Sequence, residues 1–178
     1  ATTLLAWGSE SARRLETFTT DPSPWCTESH LNRFYFDRSM WWVTRYLQDL
    51  RRQRPTLPHR STVYFSQIPV FSAVQVADGP LVRGVYRDTS LRSYYISDLT
   101  RERARRGPLY LFVSSGDTLR EMGAGQDVLL PIAFALIVGD QPRGARDALT
   151  LAVERDSAAR FARYWLAWTE RALGDPVA

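Results

Sequence analysis

The spacing of apolar positions changes along this chain, and the expected elements follow from it. From about Thr27 to Arg52, Leu31, Phe34, Tyr35, Trp42, Val43, Tyr46, Leu47 and Leu50 recur at three- and four-residue steps, which predicts a long amphipathic helix. A shorter helix is expected over residues 1 to about 20, with Leu4, Leu5, Leu15 and Phe18 as its contacts. Pro22 and Pro24 end it, because each removes an amide donor and biases the preceding residue away from helix. The long helix stops in "RRQRPTLPHR", where basic residues suit a helix C-terminus and two prolines forbid continuation.

Period-two and continuous apolar stretches come next. "STVYFSQIP" is short, β-branched and aromatic, and reads as a buried strand. Residues 70 to 86 read as a helix or partial helix interrupted at "DGP". "SLRSYYISD" is a second strand, "LTRERARRG" an exposed helical turn, and Leu109 to Val113 a third strand closing at "SSGD". The strand and helix order argues for a small α/β layer whose sheet is covered by the long helix.

After "GAGQD" the residues become helix formers, with helices expected at about 127–138, 143–155 and 158–173. The organisation is therefore an α/β domain with N-terminal helices over 1–125 and a helical extension over 126–178.

Composition adds mainly exclusions. With 44% hydrophobic and 12% aromatic residues, 178 residues can bury a sizeable core as one domain or one with an appendage. The longest nearly apolar run, Val128 to Val138, contains Pro131 and is about half the roughly 20 residues a bilayer span needs. No basic-then-apolar leader opens the sequence, and Ala1 fits the start left by a removed leader or a chain cut. All 23 basic residues are arginine, so Schiff-base and phosphate-loop lysine chemistry is excluded. The net charge of +4 suits acidic surfaces or lipid headgroups weakly, and nucleic acid is not the expected partner.

Candidate chemistry is sparse. Cys26 is alone, and His30 and His59 have no chelating spacing, so neither a metal nor a cofactor is expected. Ser114, Ser115 and Asp117 lack a nucleophile elbow and read as a strand-ending turn. The glycines of "GAGQ" read as a linker, and the runs "RERARRG" and "RRQR" as solvated faces. Trp41 and Trp42 diverge by about 100° on a helix, so one enters the core and the other meets a second domain, a partner or a lipid interface. No catalytic residue is assigned.

The C-terminal third carries a resemblance. Gly139-Asp140 recurs 35 residues on as Gly174-Asp175, close to the ~34-residue tetratricopeptide period. "GDQPRGARDALTLAVERD" resembles the second helix of such a repeat, with Ala145, Leu149 and Ala152 at its packing positions. "ARYWLAWTERALGD" resembles the first helix of the next, with Trp165 and Leu166 near its aromatic-leucine positions. At most one and a half units are present, with one extra residue before Ala145 and no closing proline at Asp156-Ser157. A plain three-helix packing motif accounts for the same spacing. Either way, the piece must lean on the α/β part.

"LPHRSTVYF", "YRDTSLR" and "GDTLRE" are similar in order and spacing to extracytoplasmic C-terminal domains of bacterial C-type, protein-mannosyltransferase-like membrane proteins. The resemblance implies an outward-facing, membrane-associated location without the catalytic carboxylates, which in that family lie between membrane helices. The expected function is a non-enzymatic, protein-binding or accessory module on a membrane-associated assembly outside the cytoplasm. The alternative is the soluble domain of a membrane glycosyltransferase-like enzyme that helps bind a sugar acceptor or lipid-linked donor. The expected partner-binding residues are Phe161, Trp165 and Trp168, ringed by Arg160 and Arg163, together with Trp41.

Overall fold

The computed structural model describes residues 33–69, 72, 80–125, 127–156 and 158–174. The helix expected over 1–20 and most of the stretch 70–79 lie outside the described residues. Helix α1 (Arg33–Gln53) is followed by β1 (Thr62–Ser66), α2 (Pro80–Tyr86) and β2 (Arg92–Tyr95). A 3-10 turn (Ile96–Asp98) leads to α3 (Arg101–Arg105), β3 (Leu109–Ser115) and β4 (Thr118–Ala124). Helices α4 (Leu129–Val138), α5 (Pro142–Arg155) and α6 (Arg160–Ala172) complete the chain.

The sheet order is β2-β1-β3-β4. β1 is parallel to both β2 and β3, with Thr62 opposite Arg92 and Leu109. β4 returns antiparallel along β3, with a register shift at Leu111/Phe112. The protein is thus α/β with a helical C-terminal extension, as the sequence pattern predicts.

Both faces of the sheet are covered. Val63, Phe65, Tyr110 and Phe112 point to one side and pack with Val43, Tyr46 and Leu50 of α1 and Val82 of α2. Tyr64, Leu109 and Leu111 point to the other and pack with Leu129, Ile132, Ala133 and Leu136 of α4 and with Ala148 and Leu149 of α5. Strands buried on both faces read as continuous apolar runs, which is why "TVYF" and "LYLF" do not alternate with polar residues. One core cluster therefore runs across the 125/126 boundary.

The fourth strand is a correction. The sequence pattern predicts no strand after the one closing at "SSGD" and a linker at "GAGQ", yet residues 118–124 form β4, and Gly123 and Ala124 belong to it. With Arg120, Glu121, Gly123 and Ala124 among its seven residues, this segment has little strand propensity of its own. It is held by pairing to β3 and by α1. On its outer edge, Asp49 Oδ2 accepts the Leu119 N–H at 2.9 Å. Gln53 Nε2 donates to the Leu119 carbonyl at 2.7 Å, and Gln53 Oε1 accepts the Glu121 N–H at 2.8 Å. Two helix side chains thus occupy hydrogen-bonding groups that an edge strand would otherwise offer to another chain.

The arginine runs are largely exposed, as expected, and also make contacts within the fold. In "RRQR", Arg51 donates to the Val85 carbonyl at 2.8 Å, Arg52 pairs with Asp49, and Arg54 grips Glu121 through Nε at 2.7 Å. In "RERARRG", Arg101 pairs with Asp147 at 3.3 Å and Arg105 with Glu154, while Arg155 of α5 returns a bond to the Ala104 carbonyl at 2.9 Å. Several arginines of these solvent-facing runs thus also join one element to another.

Candidate functional site

Helix α6 is packed on one side only. Ala162 and Thr169 are fully buried, and Trp165 and Leu166 rest partly on the core shared with α4 and α5. The adjoining flank carries Phe161, Tyr164 and Trp168, which are 57%, 65% and 46% exposed. Their steps of three and four residues place them on one stripe of the helix.

The rings form a connected cluster around Trp165. Its centroid lies 5.1 Å from Phe134 of α4, 5.5 Å from Trp168 and 5.7 Å from Tyr164, all near edge-to-face. Phe161 contacts both Phe134 at 5.8 Å and Trp165 at 6.3 Å. Edge-to-face contacts place ring edges against π-faces, so the exposed rings are held in place rather than freely rotating. The Trp165 indole Nε1 is buried without a hydrogen-bond partner.

Arg160, Arg163 and Arg171 are exposed beside this stripe. Among the described residues, none of them has a carboxylate or carbonyl partner for its guanidinium. Of the expected residues, the structure therefore brings together Phe161, Trp165, Trp168, Arg160 and Arg163. It adds Tyr164, Phe134 and Arg171. Tyr164 was legible, since it lies three residues after Phe161 and four before Trp168. Phe134 was not, because only the tertiary fold sets α4 beside α6.

Trp41 is not part of this site. It is 51% exposed on α1, which covers the other face of the sheet. It stacks edge-on against Trp42 at 5.2 Å, and Trp42 turns inward toward Tyr46 at 5.6 Å. The divergence expected of adjacent tryptophans is realised, with one ring outward and one inward.

The polar groups at the sheet ends are structurally engaged. The Tyr46 hydroxyl bonds Ser114 Oγ at 2.8 Å and donates to the Gly116 carbonyl at 3.1 Å, so Ser114 helps anchor α1 to the hairpin. Burial raises the Tyr46 hydroxyl above its ordinary pKa, offset in part by the Ser114 bond. Asp117 pairs with Arg45 at 3.2 Å. His59 lies 2.7 Å from Asp88, whose carboxyl is held below its ordinary pKa chiefly by hydrogen bonds from Ser90. Cys26 and His30 lie outside the described residues. Among the described residues, no three His, Cys, Asp or Glu side chains are grouped to hold a metal ion. No described helix is long and apolar enough to cross a membrane.

Comparison with protein-family models, curated proteins and solved structures finds no match to this chain.

Proposed function

We propose that this chain is a non-enzymatic docking module, and that α6 is the face by which it attaches to a membrane-associated assembly on the outward side of a bacterial membrane. One observation carries the reading. Three large aromatic side chains stand exposed on a single helix stripe beside three exposed arginines that have no carboxylate partner among the described residues. Binding hot spots are enriched in Trp, Tyr and Arg, and an aromatic held by its neighbours loses little conformational freedom on binding. The outward, membrane-associated location rests on the resemblance carried by "LPHRSTVYF", "YRDTSLR" and "GDTLRE".

The test is co-sedimentation of the chain with native bacterial membrane vesicles that retain their proteins. Trp168→Ala is expected to weaken binding by about 1–3 kcal/mol while leaving the melting temperature nearly unchanged. A large fall in melting temperature would make Trp168 a core residue. Wild-type protein that stays in the supernatant would remove the docking role.

A further inference from the structure

We infer that the α6 face contacts the anionic lipid headgroup layer directly, a step that rests on the docking reading and names what the face touches. The first argument is exposure. Phe161, Tyr164 and Trp168 are exposed on a helix whose Ala162 and Thr169 are buried, so parts of their rings stand in solvent beside the core. A protein partner's anchor residues favour pockets, whereas a bilayer interface closes around exposed rings.

The second argument is ring chemistry. Tyr and Trp combine an apolar body with a polar tip, the composition that settles at the boundary between acyl chains and headgroups. Phe161 supplies the fully apolar member of the stripe.

Charge supplies the third argument. α6 carries Arg160, Arg163 and Arg171 against one acidic residue, Glu170. Elsewhere in the fold, Arg45, Arg52, Arg54, Arg101, Arg105 and Arg106 each pair with a carboxylate. Among the described residues the α6 arginines have none, as is also true of Arg60, Arg83, Arg87, Arg120 and Arg143, but only those of α6 stand on one flank of an exposed aromatic stripe. A modest tilt of the helix sets the rings at the interface and the guanidiniums at phosphate level, where each can bond phosphate oxygens in pairs. Two copies meeting through this face would oppose like charges, so self-association is the weaker use of it.

The experiment measures binding of the full chain to protein-free vesicles, one set of phosphatidylcholine alone and one of phosphatidylcholine with phosphatidylglycerol. Binding is expected only to the anionic set and is expected to fall as salt is raised. Replacing Arg160, Arg163 and Arg171 together by Gln removes about fivefold per residue, or about a hundredfold in all. Among the described residues these arginines have no carboxylate partner to lose, so this variant is expected to keep a melting curve close to that of the wild type. Brominated lipids are expected to quench wild-type tryptophan fluorescence and to quench Trp168→Phe less. Equal binding to both vesicle sets, no binding to either, or a triple variant that binds like wild type overturns the inference. Binding to native membranes without binding to protein-free anionic vesicles leaves the docking module standing and points to an acidic protein partner. Failure on both kinds of membrane removes both readings.

Discussion

Replacing Gln53 by Ala tests whether the outer edge of β4 is held by α1. The Gln53 amide gives Leu119 an acceptor's partner at 2.7 Å and Glu121 a donor's partner at 2.8 Å, as a neighbouring strand would. Alanine leaves both backbone groups without a protein partner. A net hydrogen bond is worth about 0.5–1.5 kcal/mol, so the pair contributes about 1–3 kcal/mol, with the lower end applying where water replaces the amide. Partial burial of both bonds places the expected loss near 2 kcal/mol, a fall in melting temperature of about 4–8 °C. Urea unfolding followed by circular dichroism measures it, and the denaturant slope should not change. A freed strand edge also invites pairing with a second chain, so the variant should self-associate as concentration rises. A loss below about 0.3 kcal/mol with no self-association would refute edge capping, because either consequence alone would register.

Three further outcomes follow from the same packing. Burial raises the hydroxyls of Tyr46, Tyr64, Tyr86 and Tyr95, with Tyr86 pushed up to about 12. Their stability contribution is intact below about pH 10, the unfolded value, and is lost as pH rises through the folded values. With no lysine titrating in that window, tyrosinate absorbance and loss of circular dichroism should rise together between about pH 10 and 12. Ionisation complete before any unfolding would contradict this. Ile132→Ala empties a fully buried site between α4 and the sheet and should cost about 2–5 kcal/mol in urea unfolding, whereas a cost under 1 kcal/mol would mean α4 is loosely seated. An isolated 126–178 fragment should show no cooperative thermal transition, because Leu129, Ile132, Ala133 and Leu136 lose Tyr64, Leu109 and Leu111 as their cover.

Much of the fold was legible because its signals are local. The stripe through Val43, Tyr46 and Leu50 marks α1, and the prolines after Arg54 mark its end. The apolar runs "TVYF" and "LYLF" mark strands buried on both faces. β4 escaped because its information is not local. "TLREMGA" becomes a strand only when β3 lies on one side and Asp49 and Gln53 on the other, partners roughly 70 residues away in the latter case. The same holds for Phe134, whose ring joins the α6 cluster through a helix pairing that no single-helix period encodes.

The arginines show where sequence reading of the site succeeds and where it fails. A guanidinium on a helix finds an intrahelical partner only at three- or four-residue steps. Arg106 has one, Glu102, and pairs with it at 2.6 Å. Arg163 has no acidic residue at either step, so its unpaired state on α6 was readable from the chain alone. Arg160 has Asp156 four residues back, yet that residue lies beyond the end of α5 and its carboxylate caps the Ala158 N–H at 2.9 Å. Arg105 has Glu102 three residues back and Arg101 has Asp98, yet the carboxylates they pair with are Glu154 and Asp147, which α5 brings to them across the fold. The difference between an arginine that joins two elements and one left for a partner is therefore set by whether a second element arrives opposite it. For α6, among the described residues, none does.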